Sequence, residues 1–275
     1  MSHPTRTFYD ELAADYHLIY ADWDASIERQ ADALDRLIGP ARRRILDCAC
    51  GIGTQAIGLA SRGHTVIGTD LSPNALARAA AEAARRGLTI PVATADWRGL
   101  PFPDGTFEVV VAADNALPHL LTPEDMIAGL AGMRRVLADG GLLIASTRPY
   151  DEIRAEHPGY SPPWRSHTAG GRSIAFQLWD WHDDDARYDL EHFTLVPQGD
   201  SWNVTVRRAT YWAITRAELT ELVEQAGFTD VQWHEPEDSG FFQPLLTAAG
   251  AARDRRSPPR SARPSSAAAA TDPGA

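Results

Sequence analysis

The stretch Asp47-Cys48-Ala49-Cys50-Gly51-Ile52-Gly53-Thr54 constrains this chain most. It follows a short buried-type strand, Arg44–Cys48, and opens an apolar-periodic helix, Thr54–Arg62, with Gly63 as its stop. A strand, a Gly-rich turn and a helix in that order let the backbone approach a ligand closely. The helix start adds free N–H groups and a positive dipole. Alone, the turn specifies only that a nucleotide-like ligand meets it.

The pattern repeats downstream. Thr65–Thr69 reads as a second strand. Ser72-Pro73 supplies an N-cap and a first-turn proline for a helix that runs to Arg86 and stops at Gly87. Thr89–Thr94 is a short strand and Phe107–Ala113 a stronger one. Thr122-Pro123-Glu124-Asp125 opens a helix with acids at its positive end, and Asp139-Gly140-Gly141 turns into the strand Leu142–Ser146. Strands alternating with helices at this spacing predict an α/β, Rossmann-like, doubly wound and mostly parallel sheet.

Beyond Arg148 the pattern changes. Ser173–Trp181, Arg187–Val196 and Ser201–Ala213 read as antiparallel strands, inserted as a cover over the sheet's C-terminal edge, where ligands bind in such folds. Thr215-Arg216-Ala217-Glu218 is a capping box for a helix that ends at Gly227. Strands near Val231–His234 and Phe242–Thr247 would close the sheet. The expected organisation is one domain over 1–247, with a helical cap at 7–40, a core at 41–148, the cover at 149–213 and closing elements at 214–247. Residues 248–275 are mostly Ala, Arg, Ser and Pro, cannot bury a core, and are expected to be disordered.

Near the N-terminus, Phe8, Leu12, Tyr16, Ile19, Tyr20 and Trp23 fall at helical spacing over 7–23. This stripe suits either docking on the core or lining a pocket. A second helix, about 25–38, ends at Gly39-Pro40.

Composition removes several functions. The net charge of -11 disfavours a phosphate backbone as partner. No apolar run approaches the roughly 20 residues that span a membrane. No apolar signal core follows Met1–Arg6, so the expected location is the cytoplasm. Cys48 and Cys50 lie two positions apart, where a disulfide is strained, and no His/Cys cluster adjoins them. They read as reduced packing residues, and no metal is expected.

Further polar positions sharpen the ligand. Asp70 ends the second strand 17 residues after Gly53, where a carboxylate holds a ribose diol. Asp96 ends the third strand and precedes Trp97; the carboxylate suits an adenine amino group and the indole suits its ring. Asp114-Asn115 ends the fourth strand beside the same crevice. A dinucleotide site wants G-x-G-x-x-G, but Ala56 stands at the third glycine position.

Taken in order, the motifs over 44–148 resemble those of class I methyltransferases. The resemblance implies S-adenosyl-L-methionine as cofactor, with Asp47, Gly51 and Gly53 flanking its methionine portion, Asp70 on the ribose, and Asp96 and Trp97 on the adenine. Asn115-Ala116-Leu117-Pro118-His119-Leu120 and Arg148-Pro149-Tyr150-Asp151 are similar to stretches of glycine N-methyltransferases. By that likeness Arg148 grips a substrate carboxylate and Asn115 contacts the substrate near the methyl group. Arg29 pairs with the methionine carboxylate, and Tyr20 or Trp23 helps close the site. Tyr16, Cys48, Leu71 and Asp114 complete the expected cofactor set. His119 joins Tyr20 and Asn115 as a candidate for orienting the acceptor. Asp114 stands where that family has a small residue, and the cover around Gln177–Trp181 and His192-Phe193 departs from it. The acceptor need not be glycine.

The expected reaction is methyl transfer to a nitrogen of a small, carboxylate-bearing amine. A guanidinium offers a two-pronged grip on a carboxylate, and a neutral amine needs little base catalysis. The alternatives are O- or C-methylation of a natural product, with His119 as base; cyclisation of the cofactor; a non-catalytic cofactor-binding protein; and a nicotinamide oxidoreductase. The expected partner is a small-molecule acceptor, with no nucleic acid and no membrane, and a homo-oligomer is compatible with the sequence. Trp179 and Trp181 share one strand face, which can serve the core or a substrate wall.

Overall fold

Two sheets organise the computed structural model, which describes residues 4–168 and 171–252. It opens with α1 (Pro4–Leu12), a 3-10 turn at Tyr16–Ile19 and α2 (Trp23–Ile38). Then follow β1 (Arg44–Asp47), α3 (Thr54–Ser61), β2 (Thr65–Asp70), α4 (Pro73–Arg85), β3 (Val92–Thr94), β4 (Phe107–Ala112), α5 (Pro123–Val136) and β5 (Leu137–Ser146). After α6 (Tyr150–Glu156) come β6 (Trp164–Thr168), β7 (Gly171–Trp181), β8 (Arg187–Gln198) and β9 (Ser201–Trp212). The described residues close with α7 (Arg216–Gln225), β10 (Phe228–His234), α8 (Pro236–Ser239) and β11 (Leu245–Gly250).

The larger sheet has the order β10-β11-β5-β4-β1-β2-β3. The neighbouring pairs from β1 to β5 are parallel, and β11 runs antiparallel to both of its neighbours. Its strands are apolar on both faces, as a parallel sheet between two helical layers requires. Ile45, Val109, Val111, Ile144 and Leu245 pack with Leu34, Ile38, Ile57 and Leu76 from α2, α3 and α4. The alternating residues Leu46, Val110, Leu143 and Leu246 meet Met126, Leu130, Met133, Leu219 and Val223 from α5 and α7. Each such side chain contributes about 1.5–3 kcal/mol when buried. Helix starts follow the sequence signals. Ser72 Oγ accepts from Ala75 N–H, Thr122 Oγ1 from Asp125 N–H, and Thr215 and Glu218 form the reciprocal capping box. The strand order reverses between β1 and β4, so connections leave them in opposite directions and open a crevice at their C-terminal ends.

The cover is a four-stranded antiparallel sheet, β6-β7-β8-β9. Its inward side carries a ladder of rings. Tyr188 stacks on Trp179 at 4.7 Å and on Tyr211 at 5.5 Å between centroids.

Several elements differ from expectation, each for a local reason. The aromatic stripe over 7–23 is not one helix: Asp22 caps Ala25 N–H and restarts the chain as α2 at Trp23. β6 was masked by Ser161-Pro162-Pro163 and joins the cover as a fourth strand. β3 starts only after Pro91, which has no N–H for a ladder. Asp139-Gly140-Gly141 lies within β5 as an irregularity, where pairing jumps from Phe107↔Leu137 to Val109↔Leu142. The last strand begins after Pro244 and runs to Gly250, so the expected tail starts too early: Ala248 is buried in the strand. Residues 253–275 of that tail lie outside the described residues. Among the described residues no helix is long and apolar enough to cross a membrane, and no cluster of metal-ligating side chains occurs.

Candidate active site

The turn after β1 walls a crevice whose lining includes Cys48, Cys50, Gly51, Asp70 and Trp97. Gly51 (φ 50°) is backbone that favours glycine, and a Cβ there would lie 3.2 Å from Tyr16 Cε1. Its N–H donates to Asp70 Oδ2 at 2.9 Å, and Ser72 N–H donates to Asp70 Oδ1 at 2.8 Å. These bonds fix Asp70 at the crevice edge, beside Leu71. Each carboxylate oxygen can accept a second hydrogen bond, as from a diol. Burial raises the Asp70 pKa.

Trp97 forms the facing wall, its indole N–H donating to the Cys48 carbonyl. Asp96 caps the turn at Trp97 and takes Arg98 N–H and Nε at 2.9 Å each and Arg98 Nη2 at 2.6 Å. Arg98 also reaches Asp125. Asp96 is therefore both a wall residue and part of a charge network. Cys48 and Cys50 line the crevice as free, buried thiols whose pKa values burial pushes well up, which leaves them unreactive.

Asp47 and Gly53 stand behind this wall rather than on it. Gly53 caps α3 and packs on Ile57 and Ala79. Asp47 is 1% exposed; Oδ1 accepts Ala49 N–H at 3.4 Å, while Oδ2 has no hydrogen-bond partner. Burial raises its pKa to about 7. A cation above the turn would relieve this half-satisfied carboxylate. An ammonium near Asp47, a diol at Asp70 and a flat base at Trp97 together match the parts of S-adenosyl-L-methionine.

The N-terminal segment closes the crevice with Tyr9, Tyr16 and Tyr20. Tyr9 OH bonds His119 Nε2 at 2.8 Å, and the His119 ring lies 4.3 Å from that of Tyr211. Tyr20 OH donates to Asp114 Oδ2 at 2.6 Å. Two expected cofactor residues fall elsewhere. Trp23 does not line the crevice: its indole donates to Thr54 Oγ1 at 2.9 Å, and Arg78 and Arg86 cover its ring. It anchors α2 on α3 because the cap at Asp22 turns it inward. Arg29 is exposed and lines a neighbouring outer cavity, where it donates to Ser26 Oγ.

That outer cavity meets the crevice at Asp114 and Tyr20. Asp114 and Asn115 follow β4 in consecutive left-handed conformations, φ 59° and 62°. Such backbone is uncommon outside glycine and best tolerated by Asp and Asn. Asn115 turns both ends of its amide to the segment after β5. Oδ1 accepts Arg148 N–H at 3.0 Å and Nδ2 donates to Tyr150 OH at 3.0 Å, so it holds the segment after β5 in place. Arg148 donates to Tyr188 OH at 3.0 Å and to Gln177 Oε1 at 3.2 Å. Its guanidinium lies 5.0 Å from the centroid of Trp179 and 5.5 Å from that of Tyr211. Among the described residues no carboxylate lies within 4 Å of it.

Tyr9, Gln177, Tyr188, Tyr211 and Gln243 are site residues that sequence reading missed. Only Gln177 carried any signal, as a polar position on the face shared with Trp179. That face divides: Trp179 lines the outer cavity, while Trp181 donates to the Pro158 carbonyl and packs on His157.

Comparison with known proteins identifies the family. Residues 45–141 match the methyltransferase domain family. A putative methyltransferase, YqeM, of Bacillus subtilis is 35% identical over 198 residues, 67% of this chain and 75% of that protein. A glycine/sarcosine N-methyltransferase of Parasynechococcus marenigrum is 37% identical over 134 residues, so the match spans about half of each chain, 48%. Among solved structures, the CcbJ methyltransferase of Streptomyces caelestis shares the fold with a TM-score of 0.73 at 20% identity, covering 91% of this chain and all of that one. The chain belongs to the class I S-adenosylmethionine-dependent methyltransferases, and S-adenosyl-L-methionine is its cofactor.

Proposed function

We propose that this protein transfers a methyl group from S-adenosyl-L-methionine to a nitrogen of a small, carboxylate-bearing amine. The observation that carries the reading is Arg148. It is a permanent cation with no carboxylate within 4 Å among the described residues, held between Trp179 and Tyr211 and lining a cavity that adjoins the cofactor crevice. A substrate carboxylate supplies the missing counter-charge. The glycine/sarcosine N-methyltransferase of Parasynechococcus marenigrum, by its name, acts on amines of this class.

Bound cofactor supplies an already activated methyl group as a sulfonium. The chain's own work is then to place the acceptor nitrogen and exclude water. Tyr9, Tyr16 and Tyr20 cover the crevice from the N-terminal side. His119 orients the acceptor from that side, and Tyr20 does so through Asp114. Asn115 acts through Arg148 by holding its backbone. The cavity around Arg148 also takes in Gln177, Gln243 and Trp179, which leaves room for an acceptor larger than glycine.

The test is a panel of glycine, sarcosine, larger amino acids and simple amines, scored by S-adenosylhomocysteine release. Turnover with carboxylate-bearing amines, and little with the amines lacking a carboxylate, is the expected result. Release only with hydroxyl or carbon acceptors, or formation of methylthioadenosine, contradicts it.

A further inference from the structure

Asp114 lines the cofactor crevice, the outer cavity that holds Arg148, and a smaller inner space lined by Tyr9, Tyr16, His192 and Tyr211. It thus stands where a cofactor and an acceptor would meet. Oδ2 accepts the Tyr20 hydroxyl at 2.6 Å. Oδ1 accepts no hydrogen bond from a described side chain, and no Arg or His lies within ion-pairing distance of the carboxylate among the described residues. Its backbone is fixed in the left-handed region and tied through Asp114 N–H to Ser146 Oγ at 2.7 Å. The same pattern of strained, over-determined backbone is found where function demands an exact side-chain position.

A carboxylate without a cationic partner is costly to leave half-buried. Here a ligand can provide the partner. Arg148 and Asp114 both line the outer cavity, a cation and a carboxylate that feel each other's charge but form no direct ion pair. Together they complement the two ends of an amino acid. We infer that Asp114 receives the acceptor's amino group: its carboxylate binds the ammonium form and takes one proton from it, leaving a neutral amine facing the crevice. This inference rests on the methyl-transfer reading above.

The proton balance is simple. An N–H bond of the ammonium breaks, its electron pair stays on nitrogen as the nucleophilic lone pair, and the proton forms an O–H bond on Asp114. Burial, which raises the Asp114 pKa, makes that carboxylate a better proton acceptor, while the charge of Arg148 acts the other way. Tyr20 is a positioning residue in this account, since it reaches the acceptor only through Asp114. A line of hydrogen bonds secures it: Trp23 Nε1 to Thr54 Oγ1, Thr54 Oγ1 to Tyr20 OH at 3.5 Å, and Tyr20 OH to Asp114. Asp114 thereby moves from the cofactor set, where sequence placed it, to the acceptor side.

Calorimetry on the full chain saturated with S-adenosylhomocysteine tests this without turnover. The probes are matched pairs that differ only in an amino or hydroxyl group: glycine and glycolate, alanine and lactate, phenylalanine and phenyllactate. Wild-type protein should prefer the amino member by about tenfold or more, the scale of one charge-assisted hydrogen bond. Asp114→Asn, which tolerates the left-handed backbone, should abolish that preference and leave S-adenosylhomocysteine affinity within about twofold. A preference that survives Asp114→Asn overturns the inference alone. So does a loss of S-adenosylhomocysteine affinity of about tenfold, which would return Asp114 to the cofactor. Equal binding of both members by wild type also overturns it, whether or not the variant folds. Failure of every probe to bind overturns both this inference and the carboxylate reading beneath it.

Discussion

Gly132, on α5, packs so closely beneath Trp97 that a β-carbon there would run into the Trp97 carbonyl oxygen. One helix turn away, Gly129 gives the Trp97 side chain and Leu120 similar room. These two glycines let the wall of the crevice settle onto α5, which in turn brings the indole to the Cys48 carbonyl. Gly132→Ala should push that wall away. The expected cost is about 1–3 kcal/mol of stability, with weaker S-adenosylhomocysteine binding. A thermal melt and a binding titration check it; an unchanged melting temperature would show that the close contact is not a constraint.

Asp70 is held by two backbone N–H groups and faces the crevice. Asp70→Ala removes the acceptor for a diol and leaves Gly51 N–H without its partner. Cofactor affinity should weaken by roughly 1–3 kcal/mol. Calorimetry with S-adenosylhomocysteine measures it, and unchanged affinity contradicts the assignment of Asp70 to the ribose.

Arg148→Ala should raise the acceptor's KM while cofactor affinity stays near wild type. The guanidinium lines the outer cavity and not the crevice. Steady-state kinetics alongside cofactor titration separates the two sites. A collapse of cofactor affinity would mean that Arg148 serves the methionine carboxylate instead.

Asp47 sets a pH dependence. Burial raises its pKa from 3.8 to about 7, so the folded chain holds the proton more tightly than the unfolded chain does. Its contribution is fully present below pH about 4 and is lost as pH rises through about 7, on the order of 4 kcal/mol at about 1.4 kcal/mol per unit. Buried His192 acts oppositely: burial lowers its pKa from 6.5 to about 4, which lowers stability as pH falls through that window. Comparing Asp47→Asn with wild type isolates the first effect. The variant's stability relative to wild type, read from denaturant melts, should increase between pH 4 and pH 7. A constant difference across that range contradicts the burial of an ionisable Asp47 beneath the turn.

The cofactor half of the site was legible because its signals are local. The Gly-rich turn, the acid at the end of β2 and the Asp96-Trp97 pair each sit at a strand end, and a parallel sheet brings strand ends to one edge. The acceptor half depends on how the cover folds back over that edge. Tyr188 and Tyr211 reach Arg148 from different strands of the cover, and no spacing in the sequence announces it. Trp23 lies off the crevice because the stripe over 7–23 was read through Asp22, whose side chain starts a new helix, and Arg29 was placed by family likeness alone. Asn115 sits where the motif predicts, yet its amide is engaged by Arg148 and Tyr150, contacts that only the tertiary fold creates.

The central claim concerns the atom that receives the methyl group. The most direct measurement uses methyl-labelled S-adenosylmethionine with the best amino acid from the acceptor panel, and locates the label in the product by NMR. The account predicts label on the amino nitrogen, with one S-adenosylhomocysteine formed per methyl transferred. Label on oxygen or carbon, or no labelled acceptor at all, would contradict it.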